Sequence, residues 1–219
     1  VVARDLRASV EENPALRGLP WATASRGTAR MVVAPAPSGS GRMTLLHLGR
    51  LVEVRTRGDA LGAALVFIED DALLPASTGN AALGPLGADA STLAAQAELT
   101  LVDALRSGEV RAESEEGRRA TTRFLLSALR VLSGDATRAA TCAAIEAMPL
   151  VPVYGEDNRV TRVSLDTLEA RHARGGALPW LKDVPTDVDG AGFEPLILGT
   201  RELVEALTTF LGASPRDVS

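Results

Sequence analysis

Residues 41–83, GRMTLLHLGRLVEVRTRGDALGAALVFIEDDALLPASTGNAAL, carry the most definite pattern in the chain. Two apolar runs, 43–48 and 51–55, are split by Gly49-Arg50, and a two-residue connection containing Gly between such runs predicts a β-hairpin. Leu51, Glu53 and Arg55 alternate with Val52 and Val54, the period of a strand with one solvated face. Residues 63–68, AALVFI, are continuously apolar and predict a buried return strand. Glu69, Asp70 and Asp71 end it; Pro75, Ser77 and Thr78 then open onto Asn80, Ala81, Ala82 and Leu83. The expectation is a three-stranded sheet that hands the chain, through an acidic corner near Asp70, to a helix.

Upstream, Val2, Leu6 and Val10 recur every four positions among charges, the spacing of a helix that buries one narrow stripe, and Asn13-Pro14 ends it. Residues 16–21 read as a loop with an apolar anchor. GTARMVVAP, from Gly27, reads as a strand running into Pro35, and 34–41 as an exposed turn between strands.

Downstream of GPLGAD the composition turns to Ala, Leu, Glu and Arg. Leu93, Ala97, Leu101 and Leu105 form one helical stripe; Phe124, Leu125, Ala128, Leu129 and Leu132 form another. Gly108 and Gly134 sit where left-handed C-caps are expected, and a third helix is expected over 135–147 with Asp135 as N-cap. Beyond Pro149, LVPVYG and RVTRV read as strands joined by Glu156-Asp157-Asn158. Ser164 caps a helix to His172, 178–184 is a short strand, PTDVDGAG an acidic loop, FEPLILG a last strand, and Thr200 caps a helix to Leu211. No repeat recurs at a fixed period. The fold class is therefore α/β (α+β): a small sheet with a hairpin packed on helices over 1–88, a helical middle section over 89–148, and a second small α/β subdomain over 149–219.

A chain of 219 residues with 46% hydrophobic content has ample apolar surface for a core, and with aromatics at 3% that core must be aliphatic. A net charge of -5 argues against general attraction to nucleic acid or anionic lipid, both of which need a positive field. The single cysteine, Cys142, cannot form an internal disulfide, so a reducing cytoplasmic compartment is expected. No run approaches the roughly 18 apolar residues of a membrane span. The opening VVARDLRASVEENP is charged by Arg4, unlike a signal peptide, and a start at Val1 without Met suggests an excised fragment or, equally, a processed or tagged product.

Candidate chemistry is sparse. His47 and His172 are the two histidines, too few for a His-rich metal site; His47 in a strand reads as solvent-facing or bonded to backbone. Glu69, Asp70 and Asp71 are acids at a strand end, where paired carboxylates can serve acid/base chemistry if one is desolvated, and an enzymatic site at Asp70, Asp71 and His47 is the third reading. Asp183, Asp187 and Asp189 before Gly190 resemble half a calcium loop, without its closing Glu. Arg118, Arg119, Arg123 and Arg130 gather around one helix and can bind phosphate or an acidic partner, while Glu113, Glu115 and Glu116 can neutralise them. Cys142 lies among Ala and Ile with no histidine nearby in sequence and reads as packing. G-x-S-x-G, Walker A and G-x-G-x-x-G patterns are absent. No metal and no cofactor is expected.

The order of features over 41–83 resembles the domain that follows the ATP-binding domain in the Hsp90-like branch of the GHKL ATPases. There a hairpin and return strand lead into V-x-x-D-x-L-P-L-N-x-S-R-E; here the chain runs from Val66 through Asp70, Leu73, Pro75 and Ser77 to Asn80 and Ala81. MPLVPVYGEDNRVTRVSLDTLEA is similar to the strand, turn, strand and S-L-x-x-L helix further along such chains. The resemblance implies a non-catalytic transducer or client-binding region whose partner is a protein or an upstream ATPase domain. Asn80 and Ala81 stand where the family has its arginine and acid, and a neutral Asn cannot stabilise a transferring phosphate. The E-x-x-x-N helix and D-x-G-x-G loop of the ATP site are absent as well. The alternative is a stand-alone α/β interaction scaffold whose partner docks on the Arg118, Arg119, Arg123 and Arg130 face.

Overall fold

The structure is a computed structural model that describes residues 13–57, 61–70, 86–155, 159–175, 178–182, 196–212 and 215–217. The expected helix over 2–12, the helix start after Pro75, the turn at 156–158 and the half calcium loop at 183–190 lie outside those residues. The chain divides into two compact units, Val1–Ala128 and Leu129–Ser219.

In the first unit, β1 (Ala22–Arg26), β2 (Ala29–Pro35), β3 (Gly41–His47), β4 (Arg50–Arg57) and β5 (Ala64–Glu69) form one sheet in the order β1-β2-β5-β3-β4. The hairpin and the return strand are where the sequence puts them, but the sheet has five strands rather than three. β5 pairs antiparallel with β2 and parallel with β3, so the turn between β2 and β3 spans the place that β5 fills.

The pairing register builds two different faces. Val33, Val66 and Met43 fall in one row and Met31, Ile68 and Leu45 in the next, and all six are at most 2% exposed. Helix α1 (Leu86–Ser107) packs on β1, β2 and β5, burying its stripe of Leu93, Ala97, Leu101 and Leu105. On the other face, Val32, Phe67, Thr44 and Val54 form a row. Its β2 end is covered: Val32 and Ala34 cluster with Leu16, Leu19 and Ala120, and Trp21, Leu46, Leu65 and Phe67 pack against them partly buried. Ala120 belongs to helix α2 (Glu115–Leu132).

Ser114 starts α2 as an N-cap, its Oγ accepting the Gly117 N–H at 2.9 Å and donating to the Gly18 carbonyl at 3.1 Å. Arg57 of β4 and Glu98 of α1 form an ion pair at 2.5 Å with side chains 2% and 0% exposed, and Glu98 also accepts the Leu61 N–H at 2.9 Å. The residues after β4 are thereby tied to α1.

In the second unit, β6 (Val151–Tyr154), β7 (Val160–Val163), β8 (Pro179–Leu181), β9 (Leu196–Leu198) and β10 (Arg216–Asp217) form a sheet ordered β10-β8-β9-β6-β7. Helices α3 (Ala139–Glu146), α4 (Leu165–Ala173) and α5 (Arg201–Leu211) accompany it. Asp135 caps a short 3-10 turn before α3 by accepting the Thr137 N–H, and Ser164 caps α4 by accepting the N–H of its own Thr167. Thr200 stands at the α5 N-cap position without a side-chain cap bond.

Two local expectations fail. The hairpin turn is Leu48-Gly49, with φ of 47° and 72°, one residue earlier than Gly49-Arg50, because both central residues of such a turn need positive φ. Gly108 is left-handed at φ 75°, whereas Gly134 is not; the chain after α2 turns instead into the 3-10 turn at Ala136.

Candidate functional site

The acidic corner is assembled from three strand ends. Glu69 is 1% exposed. Its Oε1 accepts the Gly49 N–H at 2.8 Å, and its Oε2 lies 3.2 Å from the guanidinium of Arg30, its register partner on β2. Holding Leu48 at positive φ costs about 1 kcal/mol, and a charge-assisted hydrogen bond to the next amide offsets that cost. Asp70, 5% exposed, accepts from Thr28 Oγ1 at 2.9 Å, while its backbone N–H donates to the Leu46 carbonyl. His47 Nδ1 lies 3.2 Å from the Asp70 carbonyl oxygen.

Each described carboxylate of the corner thus fastens a hairpin turn: Asp70 the β1–β2 turn at Thr28, Glu69 the β3–β4 turn at Gly49. The His47 ring reaches backbone, as the strand reading expects, and its bond at Asp70 goes to the carbonyl rather than the carboxylate. This is a clasp for two turns. Asp71 lies outside the described residues.

The arginines of α2 have different partners. Arg118 and Arg119 both reach Glu115, at 2.8 and 3.5 Å, and ion pairs this exposed contribute little. Arg123 donates to the Pro37 carbonyl at 2.9 Å, holding the turn between β2 and β3. Arg130 is exposed near the end of α2 and belongs to the second unit.

A groove of roughly 1000 Å³ lies between residues 16–23 and the end of α1. Arg17, Arg106 and Arg111 line it together with Asp103, Glu109 and Glu113. Equal numbers of each sign leave no field to select a charged ligand.

The feature that stands out most has no warning in the local pattern. β4 ends the sheet, pairing with β3 alone among the described strands. On and beside it Leu48, Leu51 and Val54 are 48%, 64% and 48% exposed. Leu51 lies opposite Leu46 and Val54 opposite Thr44, so both point to the partly covered face; a bulge at Val52 keeps them on one side. On the opposite side Glu53 and Arg55 hydrogen-bond to one another. The signal available was the interruption of Leu51 and Val54 by charges, which reads equally well as an ordinary half-wet strand.

In the second unit Cys142 is buried, and burial pushes its thiol above the ordinary range, with Glu146 and Asp135 adding to the effect. Burial, followed by the charges of Asp166 and Glu169, also raises the Glu146 carboxyl. Among the described residues no group of three or more His, Cys, Asp or Glu side chains could hold a metal ion, and no helix is long and apolar enough to cross a membrane. No protein-family model matches the chain, and no curated protein matches it.

Proposed function

We propose that the chain is a non-catalytic protein-interaction module that engages its partner through the β3–β4 hairpin. The observation that carries this reading is the β4 edge. A long edge strand with exposed Leu51 and Val54 offers backbone groups and apolar contacts together, the combination used in strand addition. The ionisable groups of the acidic corner are meanwhile engaged in fastening turns, which supports a structural role for them.

The module can serve as a stand-alone scaffold or as the transducer region of an Hsp90-like ATPase. The hairpin followed by a return strand over 41–69 favours the second form. Most of the turn motif that suggested it falls within 71–85, outside the described residues.

A photo-crosslinking amino acid placed at Val54 tests the reading, with Gln96 on the exposed side of α1 as control. Protein adducts formed from position 54 and not from 96, in an extract of the source cells, are expected. Equal labelling from both positions, or none from 54, contradicts the reading.

A further inference from the structure

We propose that the occupant of the β4 edge is a second copy of this chain, paired antiparallel across a two-fold axis at Val54. The inference rests on the reading of β4 as the interaction edge and names its partner. Antiparallel self-pairing about Val54 sets Glu53 opposite the second copy's Arg55 and Arg55 opposite its Glu53.

Directly opposed side chains in antiparallel strands share a face, and opposite charges there are favourable. Glu53 and Arg55 already meet within one strand. Pairing two copies therefore gathers two acids and two bases, alternating around the axis, on one face. On the other face Val54 meets Val54, and Leu51 of each copy lies nearby, so side chains now 48% and 64% exposed lose water contact.

The strand RLVEVR has the symmetry this needs: an acid one place before the central valine and a base one place after it. Shifting the axis to Glu53 or Arg55 would instead oppose identical charges. The two sheets would then run edge to edge as one, which also removes the exposed β4 edge of each copy.

Sedimentation of the full chain tests this. The native chain is expected to form a concentration-dependent dimer. Glu53→Arg opposes Arg to Arg, and Arg55→Glu opposes Glu to Glu; each is expected to raise the dissociation constant by about tenfold or more.

Mixing the two variants restores both opposed pairs, so a heterodimer of native-like affinity is expected. Its recovery also shows that both variants fold. The doubly exchanged chain, Glu53→Arg with Arg55→Glu, should dimerise as the native chain does.

A native chain that stays monomeric at high micromolar concentration overturns the proposal, as do single variants that dimerise normally or a mixture that fails to recover. If the chain is monomeric while Val54 still crosslinks another protein, the self-pairing fails and the interaction reading stands; if Val54 crosslinks nothing, both fail.

Discussion

Replacing Gly117 by Ala is expected to destabilise the first unit by about 3 kcal/mol, although in an ordinary helix the same change helps by up to about 1 kcal/mol. The sign reverses because a Cβ built on Gly117 would sit 2.3 Å from the Gly18 carbonyl oxygen and 3.1 Å from Ser114 Oγ. That carbonyl is backbone and cannot swing aside. It is held by the Ser114 hydroxyl, and the segment that carries it places Leu16 and Leu19 against Val32.

Urea denaturation read by Trp21 fluorescence, in a Trp180→Phe background, isolates the unit concerned. Gly41→Ala in the same unit is the control, since its Cβ would meet Ala64 and Arg57 no closer than 3.6 Å. A Gly117 variant as stable as the native chain would refute the close approach of α2 to residue 18.

Glu98→Ala should cost about 3–5 kcal/mol, as should Arg57→Ala. With the two side chains 0% and 2% exposed, removing one takes an opposite charge away from a buried one. Loss of Glu98 also takes the acceptor from the Leu61 N–H.

Replacing both at once, Arg57→Met with Glu98→Leu, removes both charges and keeps volume, and should cost far less than the sum of the single changes. The same fluorescence measurement decides it. Additive single and double effects would mean that the pair is not formed. Arg57 matters for position as well as stability, because it anchors the end of the strand whose outer edge is proposed to bind.

The parts of this fold that local pattern could reveal were those where hydrophobic period and structure coincide. β3, β4 and β5 follow from alternation and an apolar run, although the bulge at Val52 moves Leu51 from the Glu53 and Arg55 face to that of Val54, and α1 and α2 follow from stripes at intervals of four. β1 was hidden because ATASR has no apolar period; it is a strand through its pairing with β2 and its cover by α1.

The hairpin turn slipped by one residue because Leu48 adopts a conformation for which Leu has no propensity, held by Glu69, a residue 20 positions after Gly49. Strand order is non-local: nothing within 64–69 says that it inserts between β2 and β3. For the same reason the exposed edge could not be foreseen, since an edge is defined by the absence of a neighbour. The arginine cluster read from α2 is divided among separate partners. Its members go to Glu115, to the Pro37 carbonyl and to the far end of the helix.

Hydrogen exchange across 50–57, followed as protein concentration is raised, tests the central claim most directly. Amides of β4 are expected to gain protection with concentration, while those of β5, flanked by β2 and β3, stay protected throughout. Protection of β4 that is the same at every concentration, or β5 amides exchanging as fast as those of the edge, would contradict a five-stranded sheet whose β4 edge pairs with a second copy.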